Sequence, residues 1–322
     1  MLTIYVPREN RVTHTEFAAG EALPTETVWG DLHEPTAFEV SAVEHAFGVD
    51  VPTRDEMKEI EASSRLRREE EGLYMTALVL AQAESDRPLC SAITFILSAD
   101  RLVTLRYADP QAFHTFATRM QARPAQFATG ETLFLGLLDA IIDRAADILE
   151  KIGDEVNALS HAAFSQEAGT ATSQNFKGVL RSLGHQGDLI SKARESLVSM
   201  GRMIAFLAQA ADERSREARV HLDTVSRDIA SLSDYATFLA NKVNFLLEAT
   251  LGLLNVEQNN IIKIFSVAAV VLMPPTLIAS IYGMNFHFMP ELSSPYGYPL
   301  ALAAMVVSAI VPYLFFRFRG WL

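Results

Sequence analysis

A stripe of polar and small side chains repeats at heptad spacing along the segment that precedes residue 285. Counting back in sevens from Thr276 gives Ala269, Ile262, Asn255 and Glu248. The companion series, three residues earlier, consists of Met273, Ser266, Asn259, Gly252 and Phe245. In an ordinary coiled coil both series would be mostly large aliphatic residues. Amide, hydroxyl and carboxylate groups on one helical face are instead able to hydrogen-bond the water shell of an ion.

Two interpretations of this face remain open. In the first, the helix packs among others, and its polar residues fix the register. In the second, several copies surround an axis and the face lines a water-filled pathway, where apolar rings at Ile262 or Phe265 would form a constriction that gates by dewetting. Pro274 and Pro275 remove two backbone donors, which predicts a bend. A bend that lines a pore and a simple packing kink fit these prolines equally well.

The stripe runs into a segment without charge. Asp, Glu, Lys and Arg are absent from Ile264–Pro290 and again from Leu292–Phe316. As a helix, the 18 residues Ile264–Ile281 would be about 27 Å long, which is close to the ~30 Å hydrocarbon core of a bilayer. Pro299–Phe316 has the same length. The sequence therefore predicts two membrane spans in contact with the lipid bilayer, with a pair of buried core helices as the alternative.

The basic residues predict the orientation of these spans. Lys242 and Lys263 precede the first span, and Arg317 and Arg319 follow the second. The loop between the spans contains a single charged residue, Glu291. By the positive-inside rule, both termini are expected in the cytoplasm and the loop outside. We therefore expect a multi-pass protein of the inner (cytoplasmic) membrane.

Composition excludes several other classes of function. The 322 residues carry a net charge of −12, and no concentrated basic patch is present, which argues against a nucleic-acid partner. The sole cysteine, Cys90, allows no intrachain disulfide and fits a reducing compartment. The first residues lack the basic start and apolar run of a signal peptide, so insertion is expected to depend on the C-terminal segments. The sequence contains neither a nucleophile motif nor a phosphate-binding glycine loop, so it gives no indication of an enzyme.

The elements that hold the stripe fall into three predicted domains. Residues 1–125 alternate strands with helical segments, including a helix at Ala37–Phe47 capped by Thr36 and a hairpin that turns at Ala99–Arg101, which predicts a cytoplasmic α/β or α+β domain. Residues 126–260 read as a helical stalk with one helix over about 133–159 and another over about 175–209. Residues 261–322 form the two-helix transmembrane pore domain.

The last stalk helix is expected to continue into the first span. No proline occurs between Pro124 and Pro274, so nothing forces the helix to stop before the membrane. It is expected to run from about Glu213 to Ile281, roughly 100 Å. A rod of this length needs packing partners, which predicts a bundle formed by several copies of the chain.

The segment around residue 285 resembles a known family. "YGMNF" followed by "MPEL", after a span that contains "MP", is similar to the CorA family of divalent-cation channels, chiefly magnesium channels, whose signature is the Gly283-Met284-Asn285 triplet. The segments "NNIIKIF", "LLDAIIDRAADILEKIGDEV", "WGDLHEP" and "RFRGWL" extend the resemblance. It is strongest over the C-terminal two thirds of the chain.

The resemblance implies a homopentameric funnel whose first span lines a central pore. A ring of Asn285 side chains would hold a largely hydrated Mg²⁺ at the outer mouth, with Gly283 permitting the turn and Met284 shaping it. Because Mg²⁺ dehydrates reluctantly, amide oxygens that bond its waters are a suitable first contact. Glu291 would raise the local cation concentration. No cofactor is implied, since Mg²⁺ is the substrate and a regulatory ligand.

Further positions carry over from the family. The family's pore positions fall on Thr276, Met273 and Asn259, and an acidic residue lower in the pore on Glu248. Ile262 and Phe265 stand where other members often have Met and Leu. Asp223 lies near an expected cytoplasmic Mg²⁺ sensor, with Asp86 as its suggested partner. Cobalt and nickel are expected to pass as well. The alternative is a proton-coupled zinc transporter of the same superfamily, which commonly replaces the signature methionine.

Overall fold

The structure is a computed structural model, and it describes residues 1–8, 11–17, 23–85, 87–98, 101–164, 173–210, 216–285, 287, 289–290 and 294–320. The chain forms two compact units, Met1–Leu247 and Glu248–Leu322. The domain boundaries predicted near residues 125 and 260 stay predictions.

A single mixed sheet organises the first unit. Within the described residues it has seven strands in the order β2-β1-β3-β7-β6-β5-β4. Their bounds are β1 Leu2–Arg8, β2 Arg11–Glu16, β3 Trp29–His33, β4 Leu66–Arg68, β5 Leu73–Ala81, β6 Leu89–Ser98 and β7 Arg101–Arg106. Only β3 and β7 pair in parallel, and the other neighbours are antiparallel. The predicted mixture of strands and helices is confirmed.

Helices cover most of the remaining described chain. They are α1 Ala37–Phe47, α2 Ala62–Arg65, α3 Gln111–Ala122, α4 Gly130–Phe164, α5 Ser173–Gln209, α6 Arg216–Tyr282 and α7 Gly297–Phe318. Short 3₁₀ turns occupy Glu56–Lys58 and Pro124–Gln126. The sequence predicted α1 and α4 to α7 but neither α3 nor β2. The signal for α3 was present, because Phe113, Phe116 and Met120 recur at helical spacing and are all buried.

The start of α1 agrees with the predicted cap. The side chain of Thr36 accepts a hydrogen bond from the backbone N–H of Glu39, and the Glu39 carboxylate accepts one from the backbone N–H of Thr36 at 2.8 Å. This capping box satisfies two backbone donors that the first turn leaves without helical partners. Gly48 ends the helix with φ 64°, a conformation that glycine adopts without strain.

A buried polar network joins the two parallel strands. The indole N–H of Trp29 donates to the Thr104 hydroxyl at 3.0 Å, and that hydroxyl donates to Asp31 Oδ1 at 2.6 Å. Arg106 Nη2 donates to Asp31 Oδ2 at 2.9 Å, with both side chains nearly inaccessible to solvent. Burial opposes the charge of Arg106, but the Asp31 and Asp109 carboxylates together outweigh it and raise the pKa of Arg106. β3 and β7 are therefore held together by a fully engaged ion pair.

In the first unit, the N-terminal part of α6 packs against α4 and α5. Leu222, Ile229 and Leu239 of α6 belong to the same buried cluster as residues of α4 and α5. Polar contacts accompany this packing, since His221 Nε2 lies 2.9 Å from Asp139 Oδ1 and Lys242 donates to the Asn157 side chain. The N-terminal part of α6 is thus fixed against its neighbours along several turns.

Candidate ion pathway

α6 remains a single helix through Pro274 and Pro275, up to Tyr282. It and α7 are the described helices that are long and apolar enough to cross a membrane, each with a mean hydropathy of 2.1 over its most apolar 18 residues. Such segments are typical of transmembrane helices. The two spans predicted from the sequence therefore coincide with the C-terminal part of α6 and with α7, both of which lie in the second unit.

The predicted stripe lies along one exposed face of α6. Because the helix is continuous, its heptad positions stay on that face, and each of them is exposed: Phe245, Glu248, Gly252, Asn255, Asn259, Ile262, Ser266, Ala269, Met273 and Thr276. Exposure does not separate this face from the others, since Val267 is the one buried side chain between residues 251 and 285. One chain therefore supplies one wall, and a pathway needs further copies.

The hydroxyl group of Thr276 has a defined orientation. It donates to the backbone carbonyl of Leu272 at 2.7 Å. Its hydrogen is thereby engaged, and the lone pairs of its oxygen remain to accept hydrogen bonds. The waters around a cation turn their hydrogens outward, so an accepting oxygen at this position suits a hydrated ion.

Three large apolar side chains interrupt the polar positions. Phe265 is 72% exposed, Met273 is 68% exposed and Ile262 is 55% exposed. Ile262 and Phe265 are three residues apart and therefore lie one helical turn from each other on adjoining faces. Repeated around an axis, these side chains would form apolar rings, which are the type of constriction that gates by dewetting.

The C-terminal end of α6 presents the signature triplet. The N–H of Gly283 donates to the carbonyl of Ala279 at 2.9 Å, and the N–H of Met284 donates to that of Ile281 at 3.2 Å. Gly283 does not have a left-handed φ. A Cβ there would lie 3.1 Å from the Ala279 oxygen, a tight contact with the carbonyl that accepts its own N–H. Asn285 follows in an exposed position outside the helix.

One further residue belongs on the stripe. Ser280 lies seven residues after Met273 and four after Thr276, and it is exposed. Extending the heptad by one step would have found it. It adds a hydroxyl group between Thr276 and the end of α6, so the polar face reaches the signature triplet without a gap.

Of the acidic residues predicted at the mouth and in the regulatory site, the structure describes only Asp223. Glu291 and Asp86 lie outside the described residues. Asp223 is on α6, exposed and ion-paired with Arg227 one turn later. The described part of the chain contains no group of three or more His, Cys, Asp or Glu side chains that could hold a metal ion. The regulatory role of Asp223 and Asp86 therefore stays a prediction.

The arrangement has a definite chemical character. Along α6 it offers neutral oxygen acceptors and apolar side chains, and Glu248 is the one acidic group on the stripe. Neutral acceptors bind the water of a divalent cation without stripping it. A set of such faces is suited to passing a hydrated cation rather than to chemical catalysis.

Comparison with known proteins agrees with this geometry. A family model described as "CorA-like Mg²⁺ transporter protein" matches residues 25–317. The chain is 37% identical over 324 residues to the magnesium transport protein CorA of Yersinia pseudotuberculosis, with 100% of both chains covered.

Two solved structures have a similar fold. The complete CorA magnesium transporter from Methanocaldococcus jannaschii matches with a TM-score of 0.76 at 20% identity, covering 100% of this chain and 99% of that one. The cytoplasmic domain of ZntB from Vibrio parahaemolyticus matches with a TM-score of 0.59 at 9% identity, covering 79% of this chain and 97% of that one. At these identities the likeness concerns the fold alone, and for the first structure it extends over both units.

Proposed function

The chain belongs to the family of CorA-like Mg²⁺ transporter proteins, and from this premise we propose that it passes hydrated Mg²⁺ into the cytoplasm through a central pore. The pore is lined by α6 of five copies in the inner membrane, with both termini in the cytoplasm. The observation that carries the proposal is the stripe of polar and apolar positions on the continuous helix α6, which leads directly to Asn285.

Asn285 is the first residue that an incoming hydrated Mg²⁺ contacts. Its side chain makes no hydrogen bond to the described residues, and it is exposed next to the end of α6. Five such amide oxygens would accept hydrogen bonds from the waters of one Mg²⁺, which keeps its hydration shell because dehydration is costly. Gly283 is proposed to permit the turn after α6, and Met284 to shape it. Glu291 concentrates cations near the mouth.

Below the mouth the ion meets alternating environments. The accepting oxygens of Ser280 and Thr276 come first, followed by the apolar side chain of Met273. Phe265 and Ile262 then form the constriction, where a hydrated ion passes only when the rings are wet. Beyond the constriction, the polar positions of the stripe carry two amides and one carboxylate, namely Asn259, Asn255 and Glu248. They return the ion to a polar environment.

Intracellular Mg²⁺ is proposed to close this pathway. Binding of a divalent cation to the closed state shifts the equilibrium toward closure by its differential affinity for the two states. Asp223 and Asp86 are the proposed sensor residues, in which case Mg²⁺ would compete with Arg227 for the Asp223 carboxylate. Co²⁺ and Ni²⁺ are proposed as further substrates.

Ion flux through the purified protein tests the proposal. We expect reconstituted wild-type protein to carry Mg²⁺ into liposomes, with flux falling as internal Mg²⁺ rises. Asn285→Ala should abolish flux while the protein remains a folded, membrane-inserted oligomer. Asn260→Ala is the matched control, because Asn260 is an exposed amide of α6 next to the stripe rather than on it.

Two results would contradict the proposal. Wild-type flux through Asn285→Ala would remove the role of the amide ring. Zn²⁺ uptake that depends on a pH gradient, without Mg²⁺ flux, would favour the proton-coupled zinc alternative.

A further inference from the structure

A large cavity lies in the first unit, between α4 and α5 and beside the turn that joins β5 to β6. Its volume is about 1000 Å³. Polar side chains from three segments line it, namely Arg87 from the turn, Glu155 from α4, and Arg181, Ser182, His185 and Gln186 from α5. This volume is at the upper end of the range that is typical of small-molecule sites.

Gln186 is the unusual member of this lining. It is only 4% exposed, and its Nε2 donates to the Glu155 carboxylate. Its Oε1 is buried and has no hydrogen-bond partner in the described structure. Turning the amide over would place that oxygen against the carboxylate, so the orientation is fixed by chemistry. Because buried polar atoms are nearly always paired, the free oxygen calls for a donor, and a bound molecule can supply one once a small shift of the Gln186 side chain opens that oxygen to the cavity.

Basic side chains in the same lining have no partner either. Arg181 and His185 are four residues apart on α5 and therefore share a face. Arg87 lines the cavity from the turn that precedes β6. Among the described residues, neither guanidinium group and neither ring nitrogen of His185 has a hydrogen-bond or ion-pair partner. Glu155 is the one carboxylate in the lining, and Gln186 engages it.

We propose that this cavity binds a phosphorylated metabolite that also carries N–H or O–H donors, as a nucleotide does. The planar forks of Arg87 and Arg181 match the oxygens of a phosphate group and bind it at two points. A donor elsewhere on the same molecule satisfies Gln186 Oε1. An inorganic anion supplies the first contact without the second, so the two kinds of contact together select an organic phosphate.

The site lies behind two contacts that hold α6. Asn157, two residues after Glu155, accepts the hydrogen bond from Lys242 of α6. Gly187, next to Gln186, packs against Val243 of α6, where a Cβ would lie 3.7 Å from Val243 Cγ1. A ligand that draws α4 and α5 together therefore acts on the turns that fix α6. This regulatory step rests on the function proposed above, whereas the binding site does not.

Direct binding measurements test the site. Calorimetry with the full-length protein in detergent and EDTA should show ADP binding with a Kd of about 0.1 mM or tighter. Arg181→Gln should weaken ADP binding by about tenfold or more. Gln186→Met should weaken ADP binding but leave the affinity for inorganic phosphate unchanged. Arg194→Gln, another exposed arginine of α5 outside the cavity, should bind ADP as the wild type does.

Several outcomes would overturn the inference. Absence of ADP binding at about 10 mM, well above the expected Kd, would refute the site. If the wild type and Arg181→Gln bound ADP with equal affinity, the site would also be refuted. If the wild type bound inorganic phosphate and ADP with equal affinity, the proposed role of Gln186 would be wrong.

The regulatory step is tested separately, by adding ADP to the cytoplasmic side in flux measurements at fixed free Mg²⁺. We expect ADP to change wild-type flux but not that of Arg181→Gln. If ADP binds while both fluxes are unchanged, the coupling to α6 is wrong and the site stands. A protein that binds ADP but carries no Mg²⁺ would contradict the transport function instead.

Discussion

Gly130, the first residue of α4, lies directly against strand β7. A Cβ atom added to it would be 2.5 Å from the backbone carbon of Arg101, 2.6 Å from its oxygen and 2.7 Å from its nitrogen. These are backbone atoms in a paired strand and cannot rotate away. Gly130→Ala therefore requires α4 and β7 to separate by roughly 0.9 Å before the contact reaches the ordinary 3.4 Å.

The cost of this separation follows from packing energetics. Inserting one methyl group into a well-packed site typically costs about 1–3 kcal/mol, and a contact with fixed backbone atoms belongs at the upper end. For a folded unit of this size, about 3 kcal/mol corresponds to a decrease in melting temperature of ~6–12 °C. Gly184→Ala is the matched control, since no atom lies within 4 Å of its added Cβ. Better helix propensity should stabilise that variant by about 1 kcal/mol.

Tryptophan fluorescence reports this transition. Trp29 is fully buried and donates to Thr104 of β7, so its emission follows the strand that Gly130 contacts. The second tryptophan, Trp321, is replaced by Phe in all variants to isolate the signal. A melting temperature for Gly130→Ala at or above that of the parent protein would refute the packing argument. A decrease of equal size for Gly184→Ala would show that any added methyl group is harmful.

Two further predictions concern buried charges. Arg106→Ala should destabilise the protein by about 3–5 kcal/mol in denaturant titrations, because it leaves Asp31 buried without its cation; a loss below about 1 kcal/mol would contradict this. Burial raises the pKa of Asp139, and His221 only partly opposes the effect, so wild-type stability is expected to fall as pH rises from about 4 through that raised pKa. Asp139→Asn should remove this fall. The melting temperature of the variant minus that of the wild type should therefore increase between pH 4 and pH 7. A difference that does not change with pH would contradict the assignment to Asp139.

The sequence predicted the helices well, because periodicity and capping are local. Thr36 and Glu39 specify the start of α1 through a contact within four residues, and the apolar spacing of α4 to α7 repeats over many turns. The order of strands in the sheet could not be predicted from the sequence. β3 pairs with β7 across about 70 residues, and no local pattern specifies this pairing. The same limit applies to Gly130, whose reason for being glycine is a contact with a distant strand.

The candidate pathway was also predictable in part. The heptad count located the stripe on α6, and it would have included Ser280 with one more step. The role predicted for Gly283 in the turn stays a prediction, and its φ is not left-handed. The cavity lined by Gln186 left no sequence signal, since its residues come from three separate segments.

The stripe itself argues for assembly independently of any relative. Most side chains of α6 beyond residue 250 are exposed in a single chain. Lipid satisfies the exposed leucines and valines, because hydrocarbon tails are as apolar as they are. It offers no hydrogen-bond partner to Ser266, and a polar group in hydrocarbon without a partner is costly. Ser266 is therefore expected to face protein or water rather than lipid, which is consistent with the proposed arrangement of several copies of α6 around a wet axis.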